Sequence, residues 1–152
     1  LNRGVADDIY SDKDTYMLNK GDVLREGEDV AIFTTGFMVS QSLKAADLLK
    51  AKGINTTVVN LHTIKPIDSD LIIEVAKKTK AVVTVENHSV IGGLGDAVAK
   101  TLIENYPVRM KYIGVQDRFG EVGKKDYLMK AFGLAPEQIA QGVENFLAGK
   151  KD

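Results

Sequence analysis

The feature that most constrains this chain is an alternation of short apolar runs with helical patterns from residue 30 onward. Residues 30–34 and 81–85 are apolar or β-branched throughout, which is typical of strands buried on both faces. Residues 56–61 and 110–115 have similar strand character, and a short edge strand is predicted within residues 17–24. Strands that alternate with helices form a parallel sheet, so the sequence predicts an α/β fold with helices on both faces.

Residues that begin or end helices support this division of the chain. Gly53 follows a helical pattern at the position of a C-terminal cap, and Asp68 precedes the next pattern as an N-cap. Pro107 ends a third helix, and Pro136 fits the first position of the last one. Residues 127–132 supply a further short helix. We therefore expect helices between the strands and two more after the last strand.

The composition excludes several classes of protein. The chain has 152 residues, typical of one domain, and it contains no cysteine, which excludes disulfides and zinc–sulfur sites. Its net charge of -1 argues against nucleic acid as a partner. Its apolar runs are far shorter than the about 20 residues of a membrane span, so no membrane is expected. The chain begins at Leu1, without methionine or a signal-peptide pattern, and we expect a piece of a longer cytoplasmic protein.

A glycine-rich turn at residues 92–95 follows a predicted strand and opens a predicted helix, which is the setting of a dinucleotide fingerprint. The fingerprint is incomplete, because Val98 stands where the pattern needs a small residue. Gly92, Gly93 and Gly95 therefore predict a tight turn with close helix–strand packing. A stand-alone nucleotide-binding module stays open as the alternative from another class of function.

Two histidines follow predicted strands. His88 lies beside Glu86 and Asn87 at the end of a buried strand, where a histidine can act as a general base or donate to a phosphate. No nucleophile–base–orienter set surrounds it in the sequence, so a structural or interface role is favoured and no catalytic residue is assigned. His62 is interpreted as a hydrogen-bonded loop residue, and no metal site is predicted because a third ligand is not evident.

Arg3 is a candidate anion-binding residue at the start of the chain. Gly4 beside it allows the backbone to approach an anion closely, and a guanidinium group can hold a phosphate through two hydrogen bonds.

Three motifs then occur in order: Gly-Phe-Met-Val at 36–39, Thr-Ile-Lys-Pro-Ile-Asp at 63–68 and Val-Glu-Asn-His-Ser-Val-Ile-Gly-Gly-Leu-Gly at 85–95. Together they resemble the C-terminal domain of the transketolase-like, thiamine-diphosphate-dependent enzymes over residues 3–148. Asp-Arg-Phe-Gly-Glu at 117–121 resembles transketolase itself, and the second and third motifs resemble split transketolases, in which two chains form the enzyme. Deoxyxylulose-phosphate synthase and the beta subunits of 2-oxoacid dehydrogenases stay open as alternatives.

This resemblance implies a fold and a chemistry. The fold is a three-layer α/β/α arrangement around a mixed, mostly parallel five-stranded sheet with one antiparallel edge strand. The complete enzyme transfers a two-carbon ketol unit from a ketose phosphate to an aldose phosphate, using thiamine diphosphate and magnesium. In this family other domains hold that cofactor, and no residue of this chain matches the cofactor motif. The resemblance therefore implies that this chain binds none and is inactive alone.

The resemblance also implies partners. Residues 1–29 correspond to a linker from an absent middle domain plus the edge strand, and residues 30–152 to the C-terminal domain. The expected partners are that middle domain, a transketolase N-terminal subunit, a second copy in a homodimer, and sugar phosphates. Arg3 corresponds to an arginine that grips the phosphate of the substrate. His88 and the glycines at 92, 93 and 95 are expected to lie toward a subunit contact or the edge of the site.

Overall fold

The computed structural model describes residues 7–11, 17–117 and 119–150. In chain order its elements are β1 (Asp22–Arg25), β2 (Val30–Thr34), α1 (Met38–Ala51), β3 (Thr56–Asn60), α2 (Ser69–Thr79), β4 (Ala81–Ser89), α3 (Leu94–Asn105), β5 (Arg109–Val115), α4 (Lys125–Ala131) and α5 (Pro136–Leu147). The strands form one five-stranded sheet in the order β1-β3-β2-β4-β5. β1 runs antiparallel to β3 and the other pairs are parallel, which confirms the expected mixed sheet.

Both faces of the sheet carry an apolar core because successive residues of a strand point to opposite faces. Along β2, Val30 and Ile32 belong to the core that packs on α1 and α5, whereas Ala31 and Phe33 belong to the core on α2 and α3. All five residues of β2 are buried, as are all five of β3. This arrangement confirms the three-layer α/β/α prediction. In the described part of the chain, no helix is long and apolar enough to cross a membrane.

The helix ends lie where the sequence placed them. Gly53 has a φ of +80° directly after the C-cap of α1, a conformation that glycine adopts without steric cost. Pro136 is the first residue of α5.

The prediction of an edge strand within residues 17–24 was wrong at its start, because Met17–Lys20 form a hydrogen-bonded turn and β1 begins at Asp22. β4 continues beyond residue 85 because Ser89 pairs with β5.

Asp68 connects the start of β1 to the start of α2. This side chain is only 7% exposed and accepts hydrogen bonds from Leu71 N (3.4 Å) and Gly21 N (3.1 Å), with Lys20 Nζ at 3.3 Å. The first bond confirms Asp68 as the N-cap of α2. The second ties the edge of the sheet to that helix across 47 residues of sequence.

Asp68→Ala should lower the free energy of unfolding by about 2 kcal/mol, because it removes a helix cap and a buried charge-assisted hydrogen bond together. The melting temperature should fall by about 4–8 °C. Asp70→Ala is the matched control, since Asp70 is an exposed acid in the first turn of the same helix and should contribute below about 0.5 kcal/mol. Thermal unfolding of the two variants with equal losses would contradict this role of Asp68.

Candidate functional site at the carboxyl ends of the strands

The carboxyl ends of the four parallel strands lie together at one side of the sheet, which we call the carboxyl edge. The chain passes from β2 to β3 on one side and then places β4 on the other side of β2, so the direction of winding reverses between β2 and β4. Open α/β sheets bind ligands outside the carboxyl ends of the strands at such a reversal. The residues beyond β2, β3 and β4 therefore form the candidate site.

A buried carboxylate occupies the N-terminus of α3 at this edge. Glu86, in β4, is only 3% exposed, and its two oxygens accept from Leu94 N at 2.8 Å and Gly95 N at 2.9 Å. We call this arrangement the glutamate cap. The free N–H groups and the dipole at a helix N-terminus favour a negative charge, which is why many such ends bind phosphate. Here the carboxylate of Glu86 already occupies the position that a bound phosphate would take.

The glycines of the turn make room for the glutamate cap. A methyl group on Gly93 would lie 2.0 Å from Glu86 Oε2, and one on Gly95 would lie 2.9 Å from Tyr112 Cδ2. Gly92 has a φ of +74°, a left-handed conformation that suits glycine. The glycine-rich turn thus packs a helix closely on a strand, as the sequence predicted. A phosphate could use the same N–H groups only by displacing Glu86, which argues against the nucleotide alternative.

Gly93→Ala tests this packing directly. The added methyl group would overlap the Glu86 carboxylate, so we expect the free energy of unfolding to fall by about 2–3 kcal/mol. Gly120→Ala is the control, because a methyl group on Gly120 meets no atom within 4 Å and its φ is outside the left-handed region. Chemical denaturation should leave Gly120→Ala within about 0.5 kcal/mol of the parent. Equal stability of the two variants would show that Glu86 is not held against the turn.

Asp96 and Tyr112 extend the polar network around the turn. Asp96 Oδ2 accepts from Gly92 N at 2.6 Å, and the Asp96 carboxylate also lies near the Tyr112 phenol. Burial raises the pKa of the Tyr112 phenol, and the negative charge of Asp96 acts in the same direction. The phenol therefore stays protonated beside the turn.

His88 and His62 do not form a catalytic set among the described residues. His88 is exposed at the end of β4, and its Nδ1 lies 3.3 Å from the Ser89 carbonyl oxygen. His62 is partly buried, with Nδ1 2.9 Å from Thr63 Oγ1, which agrees with a loop histidine. In residues 7–11, 17–117 and 119–150, no group of three or more His, Cys, Asp or Glu side chains is placed to hold a metal ion. The residues predicted at this edge therefore divide into Gly93 and Gly95, which face inward, and His88 and Gly92, which are exposed.

Residues 7–11, the leading segment, also contact elements at this edge. Tyr10 donates its hydroxyl hydrogen to Asp22 Oδ2 at 2.8 Å and accepts from Asn60 Nδ2 at 2.8 Å. Asn60 is the buried last residue of β3, and Asp22 lies opposite it in β1. Arg3, the predicted phosphate ligand, lies outside the described residues.

The other end of the leading segment contacts α1. Asp7 Oδ2 accepts from Lys44 Nζ at 2.9 Å. The hydrogen bond from Lys44 lowers the pKa of the Asp7 carboxyl, and the nearby Ser40 hydroxyl and the Lys44 charge act in the same direction. The carboxyl edge is thus covered by groups of the chain itself, on the β3 side by the leading segment and on the β4 side by the glutamate cap.

Sequence reasoning missed the roles of Glu86, Tyr10 and Asn60. One signal for Glu86 was available, because an acidic residue that ends an apolar run just before a glycine-rich helix start is suited to capping that helix. Tyr10 and Asn60 are separated by 50 residues, and no local pattern connects them.

Comparisons with known proteins place this arrangement in a family. The family model described as "Transketolase, C-terminal domain" matches residues 19–139. The 6-deoxy-6-sulfo-D-fructose transketolase subunit SqwH of Clostridium sp. (strain MSTE9) is 50% identical over 135 residues, which cover 89% of this chain and 42% of that protein. The 1-deoxy-D-xylulose-5-phosphate synthase of Caldanaerobacter subterraneus subsp. tengcongensis is 42% identical over 143 residues, covering 93% of this chain and 23% of that enzyme.

A solved structure agrees with the sequence relatives. The structure described as "Split gene transketolase, inactive beta4 tetramer" aligns with a TM-score of 0.89 and 41% identity, covering 98% of this chain and 48% of that one. The chain therefore spans less than half the length of these relatives. The higher identity to a transketolase subunit than to the synthase favours the transketolase branch. The chain belongs to the family of transketolase C-terminal domains.

Proposed function

We propose that this chain is the last domain of a transketolase that transfers a two-carbon ketol unit from a ketose phosphate to an aldose phosphate. The observation that supports this most strongly is the agreement of nearly the whole chain, in both sequence and fold, with transketolase subunits. The covered carboxyl edge supports a limited role for the domain within that enzyme. Its residues hold the fold together at the place where a related sheet would bind a ligand.

The residues that the structure describes do not fit thiamine diphosphate and its magnesium ion. The cofactor supplies the carbanion chemistry of such an enzyme, and it needs donors for its diphosphate and oxygen ligands for the metal. The N–H groups of Leu94 and Gly95 already bond Glu86, and the described ranges contain no cluster of three or more metal-ligating side chains. We therefore propose that the cofactor belongs to other parts of the enzyme and that this chain alone is inactive.

We propose two contributions from this chain to the complete enzyme. Arg3 would bind the phosphate of the substrate, since a guanidinium matches a phosphate through two hydrogen bonds. The body of the domain would support association with the middle domain, an N-terminal subunit and a second copy. Within it, His88, Ile91 and Gly92 are among the exposed residues around the turn, Ile91 being 63% exposed.

The donor specificity of the complete enzyme tests this proposal. The full subunit, combined with its N-terminal partner, thiamine diphosphate and magnesium, should consume xylulose 5-phosphate only when an aldose phosphate is present as acceptor. Pyruvate should not serve as the donor. Turnover of pyruvate in place of the ketose phosphate would overturn the proposal and point to a synthase or a 2-oxoacid dehydrogenase.

Hydrogen exchange tests the association surface. Amides of residues 88–92 should exchange at least about tenfold more slowly in the complete enzyme than in the 152-residue chain, because a contact would cover this exposed end of β4. Residues 53–55, at the amino ends of the parallel strands, serve as the control segment. Their amides should exchange at equal rates in the complete enzyme and in the 152-residue chain. Equal protection of residues 88–92 in the two samples would rule out a contact there.

A further inference from the structure

We propose that residues 119–127, which we call the exposed arm, form the surface on which the middle domain of the same subunit docks. The exposed arm consists of the loop after β5 and the first residues of α4. This inference rests on the proposed function only where that function makes this chain the last domain of a longer subunit. It assigns an occupant to a surface separate from the one around His88 and Ile91.

The exposed arm carries apolar side chains in solvent. Phe119 is 98% exposed, Val122 is fully exposed and Tyr127 is 55% exposed. All seven residues of α4, which the structure describes in full, are exposed or half-buried. A single exposed apolar residue is ordinary on a protein surface, but a group of them within nine residues of chain is typical of an interaction site. The exposed arm therefore has the character of a contact surface.

Contacts within the exposed arm fix its shape. Tyr127 donates its hydroxyl hydrogen to Glu121 Oε2 at 2.7 Å, and a methyl group on Gly123 would lie 2.5 Å from Tyr127 Cδ1. The Tyr127 ring therefore packs on the loop and holds it against α4. Lys125 Nζ lies 3.9 Å from the centre of the ring of Phe37, which is buried just before α1. Because the surface is already formed, a partner can dock on it with little loss of conformational entropy.

The leading segment lies beside the exposed arm. Asp7, Lys125 and Met129 line one cavity, so the leading segment meets the domain next to α4. Val122 precedes Lys125 by three residues, which span at most about 11 Å. Six residues precede Asp7. Since six residues span at most about 22 Å, any polypeptide before Leu1 is attached close to the exposed arm.

The size of the apolar patch favours an attached domain over a second copy of the chain. The two aromatic side chains of the exposed arm can bury at most about 300–500 Å². A stable interface between separate chains needs about 800 Å² on each partner, whereas contacts between domains of one chain begin at about 300 Å² a side. Attachment through the leading segment also gives the middle domain a high effective concentration at this surface. The exposed arm thus fits a domain of its own subunit.

A photoreactive group at position 119 identifies the occupant. In the complete enzyme, p-benzoylphenylalanine in place of Phe119 should cross-link on irradiation to a peptide that precedes Leu1 in the same polypeptide. The product should have the mass of one subunit, and mass spectrometry of its peptides should locate the two joined residues. The same group in place of Ile103, which is 72% exposed on α3, is the matched control and should not give this product.

Three results of the cross-linking experiment would overturn the inference. The first is a product with the mass of two chains, which would assign the exposed arm to a second copy or to the N-terminal subunit. The second is the absence of any cross-link from position 119. The third is an equal yield of the one-subunit product from positions 119 and 103.

Phe119→Ser measures the same contact without a probe. In the complete enzyme it should lower the melting temperature by about 3–6 °C, because it removes an apolar side chain that the middle domain would bury. In the 152-residue chain, where Phe119 is 98% exposed, the melting temperature should stay within about 1 °C of the parent. Ile103→Ser is the control and should leave both values unchanged. Equal shifts for Phe119→Ser in the two samples, or no shift in the complete enzyme, would contradict the contact.

Neither measurement depends on catalysis, so failure of this inference is distinguishable from failure of the proposed function. An enzyme that transfers the ketol unit but gives no cross-link from position 119 would overturn the docking surface and leave the function standing. An enzyme that accepts pyruvate as the donor and gives the predicted cross-link would overturn the function and support the docking surface.

Discussion

Glu86→Ala should lower the free energy of unfolding by about 3–4 kcal/mol and the melting temperature by about 10 °C. The carboxylate is buried and accepts from the backbone N–H groups of Leu94 and Gly95, and each hydrogen bond to a charged group contributes about 1.5–3 kcal/mol. Alanine would leave both donors without their present acceptor beside a small cavity. The cost of burying a carboxylate offsets part of the gain in the parent, so the expected loss is below the sum of the two bonds.

Glu86→Gln tests how much of this loss comes from the hydrogen bonds rather than from the shape of the side chain. Glutamine retains the shape and one acceptor oxygen but places an amide NH₂ against a backbone donor. The free energy of unfolding of Glu86→Gln should therefore fall by about half as much as that of Glu86→Ala. Glu74→Ala is the control, since Glu74 is a 63% exposed partner of Lys78 and should contribute within about 0.5 kcal/mol. Denaturant titration in which Glu86→Ala loses no more than Glu74→Ala would show that the glutamate cap does not stabilise the domain.

Arg3→Ala in the complete enzyme should raise the KM for phosphorylated sugars tenfold to a hundredfold. A charge-assisted hydrogen bond to a phosphate contributes about 1.5–3 kcal/mol, and each 1.4 kcal/mol corresponds to about a factor of ten. The proposed contact is far from the reacting carbons, so kcat at saturating substrate should change little. Steady-state kinetics with a ketose phosphate and with its unphosphorylated counterpart measure both quantities.

Arg109→Ala is the control for this experiment. Arg109 begins β5, at the opposite edge of the sheet from the leading segment, and its guanidinium donates to the Phe146 carbonyl oxygen at 2.7 Å. The variant removes an arginine of equal charge without touching the candidate site. A KM that responds equally to both variants, or that is unchanged by Arg3→Ala, would contradict a specific phosphate contact.

Much of the fold could be predicted because its signals are local. The strand-like runs at β2 and β4, the cap at Asp68 and the proline at 136 depend on residues within a few positions of one another. The start of β1 was misplaced because its pairing with Asn60 depends on residues far away in the sequence, and the four-residue strand has little pattern of its own.

The candidate site was less predictable because its contacts are not local. The glycines of the turn indicated close packing, but only the structure shows that Glu86 is the group packed there. Polar pairs such as Tyr10 with Asn60 are brought together by the sheet after it forms, across 50 residues. Side-chain type alone cannot indicate such a partner, because many tyrosines and asparagines on a surface bond only water.

We propose that the domain fills its carboxyl edge with its own groups and belongs to the complete enzyme without itself binding the cofactor. Calorimetric titration of thiamine diphosphate and magnesium into the 152-residue chain, beside the complete enzyme, tests that claim most directly. We predict saturable binding by the complete enzyme and no binding heat from the chain alone. Saturable binding by the chain alone, at an affinity comparable to that of the complete enzyme, would contradict it.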